Sequence, residues 1–280
     1  MEKLNQDTNE IMPSEIAEKV FKITDQASVI LIKYFQQVVN VDFKKDEFDP
    51  VTVADRESDA LIREQLKEVF PNDIILSEEN DNIPENYIGK VWMVDPLNGT
   101  KSFIKGRDTF AIVVGLVENG IPSFGCVNIP AQNKVFYAEK GKGAFEKVGS
   151  NFKKIHTSTI SEIKDSRLIT REPSGEVRPI EEKLNQILFS QKIDEGSGAK
   201  LCVIAKGDAE AHINTNFRAG KWDIAAPQII LEEAGGIVTD LDGKPIDYKK
   251  ESINLEHSFV ASANKELHEK IIQELVKLKV

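Results

Sequence analysis

Cysteine is scarce in this chain: 280 residues carry two, Cys126 and Cys202, far apart in sequence. That is too few for a disulfide framework and fits a reducing compartment. The four histidines form no cluster with cysteine of the spacing zinc takes. Positive charge is short as well. Lys and Arg number 36 against 46 Asp and Glu, a formal net charge of −10. A general nucleic-acid binder needs a basic face, so the charge argues against a nucleic-acid polymer as partner, and none is expected. A small phosphorylated ligand is not, because bound divalent cations can supply local positive charge. No apolar run approaches the roughly 20 residues that cross a bilayer. Met1 to Ile11 is polar and acidic, without the basic start and apolar run of a signal peptide. The expectation is a cytoplasmic protein with no membrane partner. There is no glycine-rich triphosphate loop and no repeat of solenoid length.

What remains is ordinary globular composition, 40% hydrophobic and 29% charged, in a chain long enough for one large domain or two modest ones. Ile16, Val20, Phe21, Ile23, Ala27, Ile30, Leu31 and Phe35 follow Pro13-Ser14-Glu15 at helical spacing. A second helix is predicted over Asp55–Val69, closed by Pro71-Asn72. Ile74-Ile75-Leu76 is a short apolar run into Ser77-Glu78-Glu79. Val91-Trp92-Met93-Val94 reads as a buried strand that ends by delivering Asp95. Phe110–Val117, Pro122–Asn128 and Lys134–Ala138 read as adjacent antiparallel strands, with a turn at Gly141-Lys142-Gly143. Polar residues 148–164 read as a connector. Helices are predicted over Ile180–Phe189, Ala199–Ala205, Trp222–Ala234 and Asn264–Lys277, with a strand at Ile237-Val238-Thr239. Helices separated by meandering strands make this α+β rather than strict βαβ alternation. The expected organisation is one domain over 1–280, with an N-terminal half at about 13–150 and a C-terminal half at about 151–280.

The chemistry concentrates in Glu78 and Asp95-Pro96-Leu97-Asn98-Gly99-Thr100. Carboxylates at the ends of apolar strands are costly unless paired. Oxygen ligands brought together there suit a hard cation such as Mg²⁺. Gly99 would let the backbone approach a phosphate, and the Thr100 hydroxyl could donate to it or orient a water. Read alone, Asp-Pro-x-Asn-Gly is more often a capped turn. Asp223 in Lys221-Trp222-Asp223-Ile224-Ala225-Ala226-Pro227 is likewise explained by helix N-capping.

Together these segments resemble the inositol-monophosphatase superfamily. Val91-Trp92-Met93-Val94-Asp95-Pro96-Leu97-Asn98-Gly99-Thr100-Lys101-Ser102-Phe103 resembles its first signature. Lys221-Trp222-Asp223 through Gly235-Gly236 resembles its second. Pro50–Asp55 and Leu76-Ser77-Glu78-Glu79 match two further segments, all in the family's order. The resemblance implies a layered αβαβα sandwich and a metal-dependent phosphomonoesterase using two or three Mg²⁺. It implies that Glu78, Asp95 and the Leu97 carbonyl hold one ion, and that Asp95 and Asp223 help hold a second. Asp55 and Thr100 would polarise the attacking water. The Gly99 and Thr100 N–H groups and the Thr100 hydroxyl would cradle the phosphate. Sensitivity to Li⁺ is implied too, and a homodimer is among the expectations because many relatives are dimers. Asn98 is a departure: the family has Asp there as a ligand of the second metal. Asn offers a neutral oxygen in place of a full charge, so poorer affinity for the second ion and slower turnover are expected.

For the substrate, Gly196-Ser197-Gly198-Ala199-Lys200-Leu201-Cys202 and Trp222–Pro227 resemble the 3′(2′),5′-bisphosphate nucleotidase branch, which removes the 3′-phosphate of adenosine 3′,5′-bisphosphate. Gly198 and Lys200 would contact that substrate, although Lys200 reads equally as a surface lysine. Asn216 stands where inositol monophosphatases carry a sugar-binding Glu and could still bond a ribose or inositol hydroxyl. Arg218 could meet a second phosphate. Thr170-Arg171-Glu172-Pro173-Ser174 departs from the nucleotidase pattern. Inositol phosphate, fructose 1,6-bisphosphate and histidinol phosphate are the rival substrates. A weakened enzyme that serves as a phospholigand-binding protein is the rival of another class. His156 and His212 have no nucleophilic partner pattern.

Overall fold

Runs of β-branched and aromatic residues between tight turns cover Lys90 to Ile155, and they form one sheet. The computed structural model describes residues 12–37, 41–43, 50–80, 87–170, 183–184, 186–194, 199–214, 219–250, 252–255 and 258–278. Strands β3 (Ile74–Ser77), β4 (Lys90–Asn98), β5 (Ala111–Glu118), β6 (Ile121–Ile129), β7 (Lys134–Glu139), β8 (Gly143–Val148) and β9 (Asn151–Ile155) lie side by side in chain order. β3 is parallel to β4, and every later pair is antiparallel. A short ribbon, β1 (Val41–Phe43) with β2 (Pro50–Thr52), stands apart from this sheet.

Two helices cover one face. In α1 (Glu15–Tyr34) the Ser14 hydroxyl caps the first turn, and Val20, Phe21, Ile23, Ala27 and Leu31 are buried. α2 (Val53–Val69) starts two residues before the predicted Asp55, because Thr52 is the N-cap and Asp55 closes the capping box from the third helical position. Trp92, Val94, Ile112, Val114 and Cys126 meet these helices in one core. Val91, Met93, Val113 and Val127, the alternate residues, face the other way into a second core.

That second core is filled by α4 (Lys200–Ala205) and α5 (Lys221–Glu233), which follow the short α3 (Thr100–Ile104). Beyond them lies a five-stranded sheet in the order β11 (Gln191–Asp194), β10 (Arg167–Thr170), β12 (Ala211–Asn214), β14 (Phe259–Ser262), β13 (Ile237–Asp240). α6 (Lys265–Lys277) packs Leu267, Ile271 and Leu275 on its outer face against Leu168, Ala211, Ile213 and Val260. The layers are helix, sheet, helix, sheet, helix, the αβαβα arrangement expected. Among the described residues no helix is long and apolar enough to cross a membrane.

Three local expectations need correction. β4 does not end at Asp95 but continues to Asn98 through a bulge. Asp95 faces Val113 and Asn98 faces Ala111, so the strand carries one extra residue, and Pro96 lies within that irregularity, where a missing N–H costs least. The polar segment 148–164 is not wholly a connector, since Asn151–Ile155 is the edge strand β9. Its exposed Lys153 and Lys154 are the charges an edge strand carries against further pairing. Of the predicted helix Ile180–Phe189, residues 183–184 are helical, but the helix does not reach Phe189: Gln186 and Ile187 donate to the carbonyls three residues back, those of Lys183 and Leu184, and the chain is extended by Gln191; residues 180–182 and 185 lie outside the described set.

α5 sits on the sheet at contact distance because glycines oppose it. Gly115 and Gly125 are register partners in β5 and β6. A Cβ at Gly115 would lie 2.9 Å from the Ala226 nitrogen, and one at Gly125 would lie 2.5 Å from the Ala226 oxygen. Both obstacles are helix backbone, which cannot swing aside. Gly125→Val is therefore expected to cost about 3 kcal/mol by overpacking. Gly149→Ala, in open space at a φ of +60°, should cost about 1 kcal/mol from backbone strain alone. Urea unfolding of the two variants checks the order; a Gly125→Val midpoint equal to that of the unsubstituted chain would contradict it.

Candidate active site

The polar residues of α2 lie on its buried stripe and tie three separate segments together. Asp55 accepts from the Thr52 backbone N–H at 2.8 Å and the Thr52 hydroxyl at 2.6 Å through Oδ2. Its Oδ1 lies 3.2 Å from Thr100 Oγ1. One turn on, Ser58 donates its hydroxyl to the Pro96 carbonyl at 2.9 Å. Asp59 accepts from the Ser77 hydroxyl and, at 2.7 Å, from Arg63 Nε. The spacing i, i+3, i+4 puts all three on one helical face. The residues they hold are Thr100, the Asp95–Leu97 bulge and the residue before Glu78.

Glu78 leaves the end of β3, where its N–H donates to the Val94 carbonyl at 3.0 Å. Asp95 is buried in the bulge of β4; its Oδ1 accepts from the Leu97 N–H at 3.1 Å. Asp223 is not the N-cap of α5, which is Gly220; it is the third helical residue and reaches back to accept from the Gly220 N–H through Oδ2 at 2.6 Å. Capping and clustering coexist: one ligand atom from each of Glu78, Asp95 and Asp223 falls within 4.8 Å of the others. Asn98 joins two of them, its Nδ2 donating to Asp95 Oδ2 at 2.6 Å and to Asp223 Oδ1 at 2.8 Å.

Burial pushes the Asp95 carboxyl well above the usual carboxylate range, Glu78 and Asp223 push it further, and the Asn98 amide opposes them. Hard oxygen donors with no sulfur or imidazole among them fit Mg²⁺, and a cation is what such a cluster needs in order to ionise. The Leu97 side chain is buried, and its carbonyl accepts from the Thr100 hydroxyl at 3.1 Å, leaving a second lone pair. Gly99 has a φ of 86°, a left-handed turn that lets the backbone pass from β4 into α3.

The other sequence-derived residues belong to the C-terminal half of the chain. Lys200 opens α4, where its charge acts on buried His212. Burial first, and Lys200 second, lowers His212 to about 3, so its neutral ring donates Nδ1–H to the Ile169 carbonyl at 2.9 Å. Gly198 and Asn216, with Arg218, lie outside the described residues.

Ser58, Asp59 and Lys221 were not singled out from the sequence. For the first two a signal exists, because Ala54, Ser58, Ile62 and Leu66 form the buried stripe, and polar groups on such a stripe need partners. Buried Lys221 donates Nζ to the Tyr248 carbonyl at 3.1 Å and to the Lys250 carbonyl, and lies 4.5 Å from the Tyr87 ring. Its own N–H bonds to the Ile253 carbonyl at 3.0 Å, which fastens the turn before Asp223. No local pattern announces that role.

Comparison with known proteins agrees with this geometry. The model of the inositol monophosphatase family matches residues 12–279. A 3′(2′),5′-bisphosphate nucleotidase CysQ from Aggregatibacter actinomycetemcomitans is 31% identical over 255 residues, covering 89% of this chain and 93% of that one. A histidinol-phosphatase from Mycobacterium tuberculosis is 33% identical over 204 residues, covering 71% and 77%. A solved IMPase/NADP phosphatase complexed with Mg²⁺ and phosphate superposes with a TM-score of 0.79 at 25% identity, over 93% of this chain and 94% of that one. Carboxylates gathered at the sheet ends, the layered fold and the matched span place the chain in the inositol monophosphatase family, whose members are Mg²⁺-dependent phosphoric monoester hydrolases.

Proposed function

We propose that the chain removes the 3′-phosphate of adenosine 3′,5′-bisphosphate. The observation that carries the phosphatase chemistry is the Glu78–Asp95–Asp223 cluster with the Asp55–Thr100 pair joined to it through the Leu97 carbonyl. The nucleotide substrate is supported by the likeness to the CysQ nucleotidase and by the Gly198–Lys200 and Trp222–Pro227 segments.

Glu78 and Asp95, with the Leu97 carbonyl, would hold Mg²⁺, and Asp223 would complete the acidic wall. Mg²⁺ bound there supplies Lewis acidity toward the phosphoryl oxygens and toward a water. The residues of the chain then handle the proton. The Thr100 hydroxyl has one hydrogen and two acceptors in reach, Asp55 Oδ1 and the Leu97 oxygen, so its lone pairs are free to accept from the attacking water. Asp55, held by Thr52, is the base that takes the proton relayed through Thr100 Oγ1. The N–H groups of Gly99 and Thr100 are the donors assigned to the phosphate, where the left-handed Gly99 removes a side chain from the approach. Lys200 and Asn216 are assigned to the nucleoside end.

Two measurements test this reading. Phosphate release is expected to require Mg²⁺ and to be fastest on adenosine 3′,5′-bisphosphate among a panel that includes inositol 1-phosphate, fructose 1,6-bisphosphate and histidinol phosphate. Asp95→Asn should lower turnover on the order of 10³-fold. Turnover confined to histidinol phosphate would replace the nucleotide reading with the activity named for the 33% identical relative. The second measurement is pH dependence. Asp95 holds its proton more tightly when folded, so without metal its ionisation opposes folding, and stability falls as pH rises above the ordinary carboxyl range. Mg²⁺ must displace that proton. Calorimetry should therefore find tighter Mg²⁺ binding at pH 7.5 than at pH 5.5, with proton release; equal affinity and no release would contradict it.

A further inference from the structure

Carboxylates that converge in a buried site need a cation or a hydrogen-bond donor between each facing pair. The edges of this cluster are filled differently. Along the Asp95–Asp223 edge every carboxylate oxygen already has a partner. Asp95 Oδ1 is taken by the Leu97 N–H and Asp223 Oδ2 by the Gly220 N–H. The remaining two, Asp95 Oδ2 and Asp223 Oδ1, both accept from Asn98 Nδ2. An amide has two N–H hydrogens, and both are spent here; turning its oxygen inward would face two acceptors with a third. The amide is not free to drift. Asn98 is 8% exposed, and its backbone is paired with Ala111 at the end of the β4 bulge. Along the Glu78–Asp95 edge the carboxyl groups approach each other directly.

We propose that the Asn98 amide is a built-in substitute for a cation between Asp95 and Asp223. The chain then loads a single divalent ion, on the Glu78–Asp95 edge, and its metal-free site is held together by Asn98. This rests on the reading of the cluster as a Mg²⁺ site, and it explains a neutral residue in an acidic cluster as an adaptation rather than a missing ligand. Asn98→Asp adds a fourth carboxylate and removes the amide that donates to both Asp95 and Asp223. The charge-balanced response is a second ion.

The test counts ions and measures melting on the full chain, without substrate. Mn²⁺ is the probe, by equilibrium dialysis and electron paramagnetic resonance. One Mn²⁺ per chain without spin coupling is expected for the unsubstituted protein. Asn98→Asp should bind two, coupled because paired metals lie about 3.5–4 Å apart. In EDTA, Asn98→Asp should melt at least roughly 2–4 °C below the unsubstituted chain, and with saturating Mn²⁺ it should melt above it. Asn98→Ala, which lacks both the bridge and the new charge, should fall in EDTA without that recovery. If Asn98→Asp does not fold, the ion count of the unsubstituted chain and the Asn98→Ala melting still decide. Two coupled ions on the unsubstituted chain, or an Asn98→Ala that melts in EDTA as high as it, overturn the proposal while leaving the metal reading intact. No ion on any of the three chains overturns both.

Discussion

The mutual repulsion of Glu78, Asp95 and Asp223 is the constraint around which the rest of the molecule is arranged. Three carboxylates whose oxygens fall within 4.8 Å of one another do not stay there by attraction. They are held by the backbone that carries them and, between Asp95 and Asp223, by the Asn98 amide. Glu78 is fixed by parallel pairing to β4, Asp95 by a bulge it closes with its own side chain, and Asp223 by the cap of α5. Each anchor is a hydrogen bond to a main-chain group with no freedom to retreat. Burial first, and then Glu78 and Asp223, hold the Asp95 carboxyl above the usual carboxylate range, so a cation would favour its ionised form.

The layers serve this convergence. The first helix pair and the central helix approach the large sheet from opposite faces, and both bring site residues to the same strand end. α2 reaches across with Asp55, Ser58 and Asp59, while α5 is let down onto Gly115 and Gly125 until Asp223 meets Asn98. Pro227 brings no N–H to the helical ladder of α5, and tertiary bonds fasten the first turn of that helix. Lys221 supplies them, with its side chain on the carbonyls of Tyr248 and Lys250 and its N–H on Ile253.

Much of this was legible in the sequence, for definable reasons. The strand before Asp95 is a continuous apolar run, and helices α1 and α2 show their period in full, so the placement of Glu78, Asp95 and Thr100 follows from local pattern. β10, β11 and β14 were not foreseen because a four-residue strand is too short to display a period. β9 was hidden by the lysines of an edge strand. The amide bridge of Asn98 spans 125 positions to Asp223, a contact that only the folded chain defines. Lys221 was illegible for the same reason, since its acceptors are backbone carbonyls nearly thirty residues away. Fixed secondary structure thus reached the metal-site carboxylates, while the groups that balance their charge had to be seen in three dimensions.

An inositol-monophosphatase-family site with an amide in its acidic cluster couples two claims: that the carboxylates hold a cation, and that they hold it on one side. The most direct check is a crystal structure of the chain grown with Mn²⁺ and measured for anomalous scattering. The account predicts one anomalous peak, bonded to Glu78 and Asp95, with Asn98 still between Asp95 and Asp223. An anomalous map without a peak at these carboxylates would contradict it.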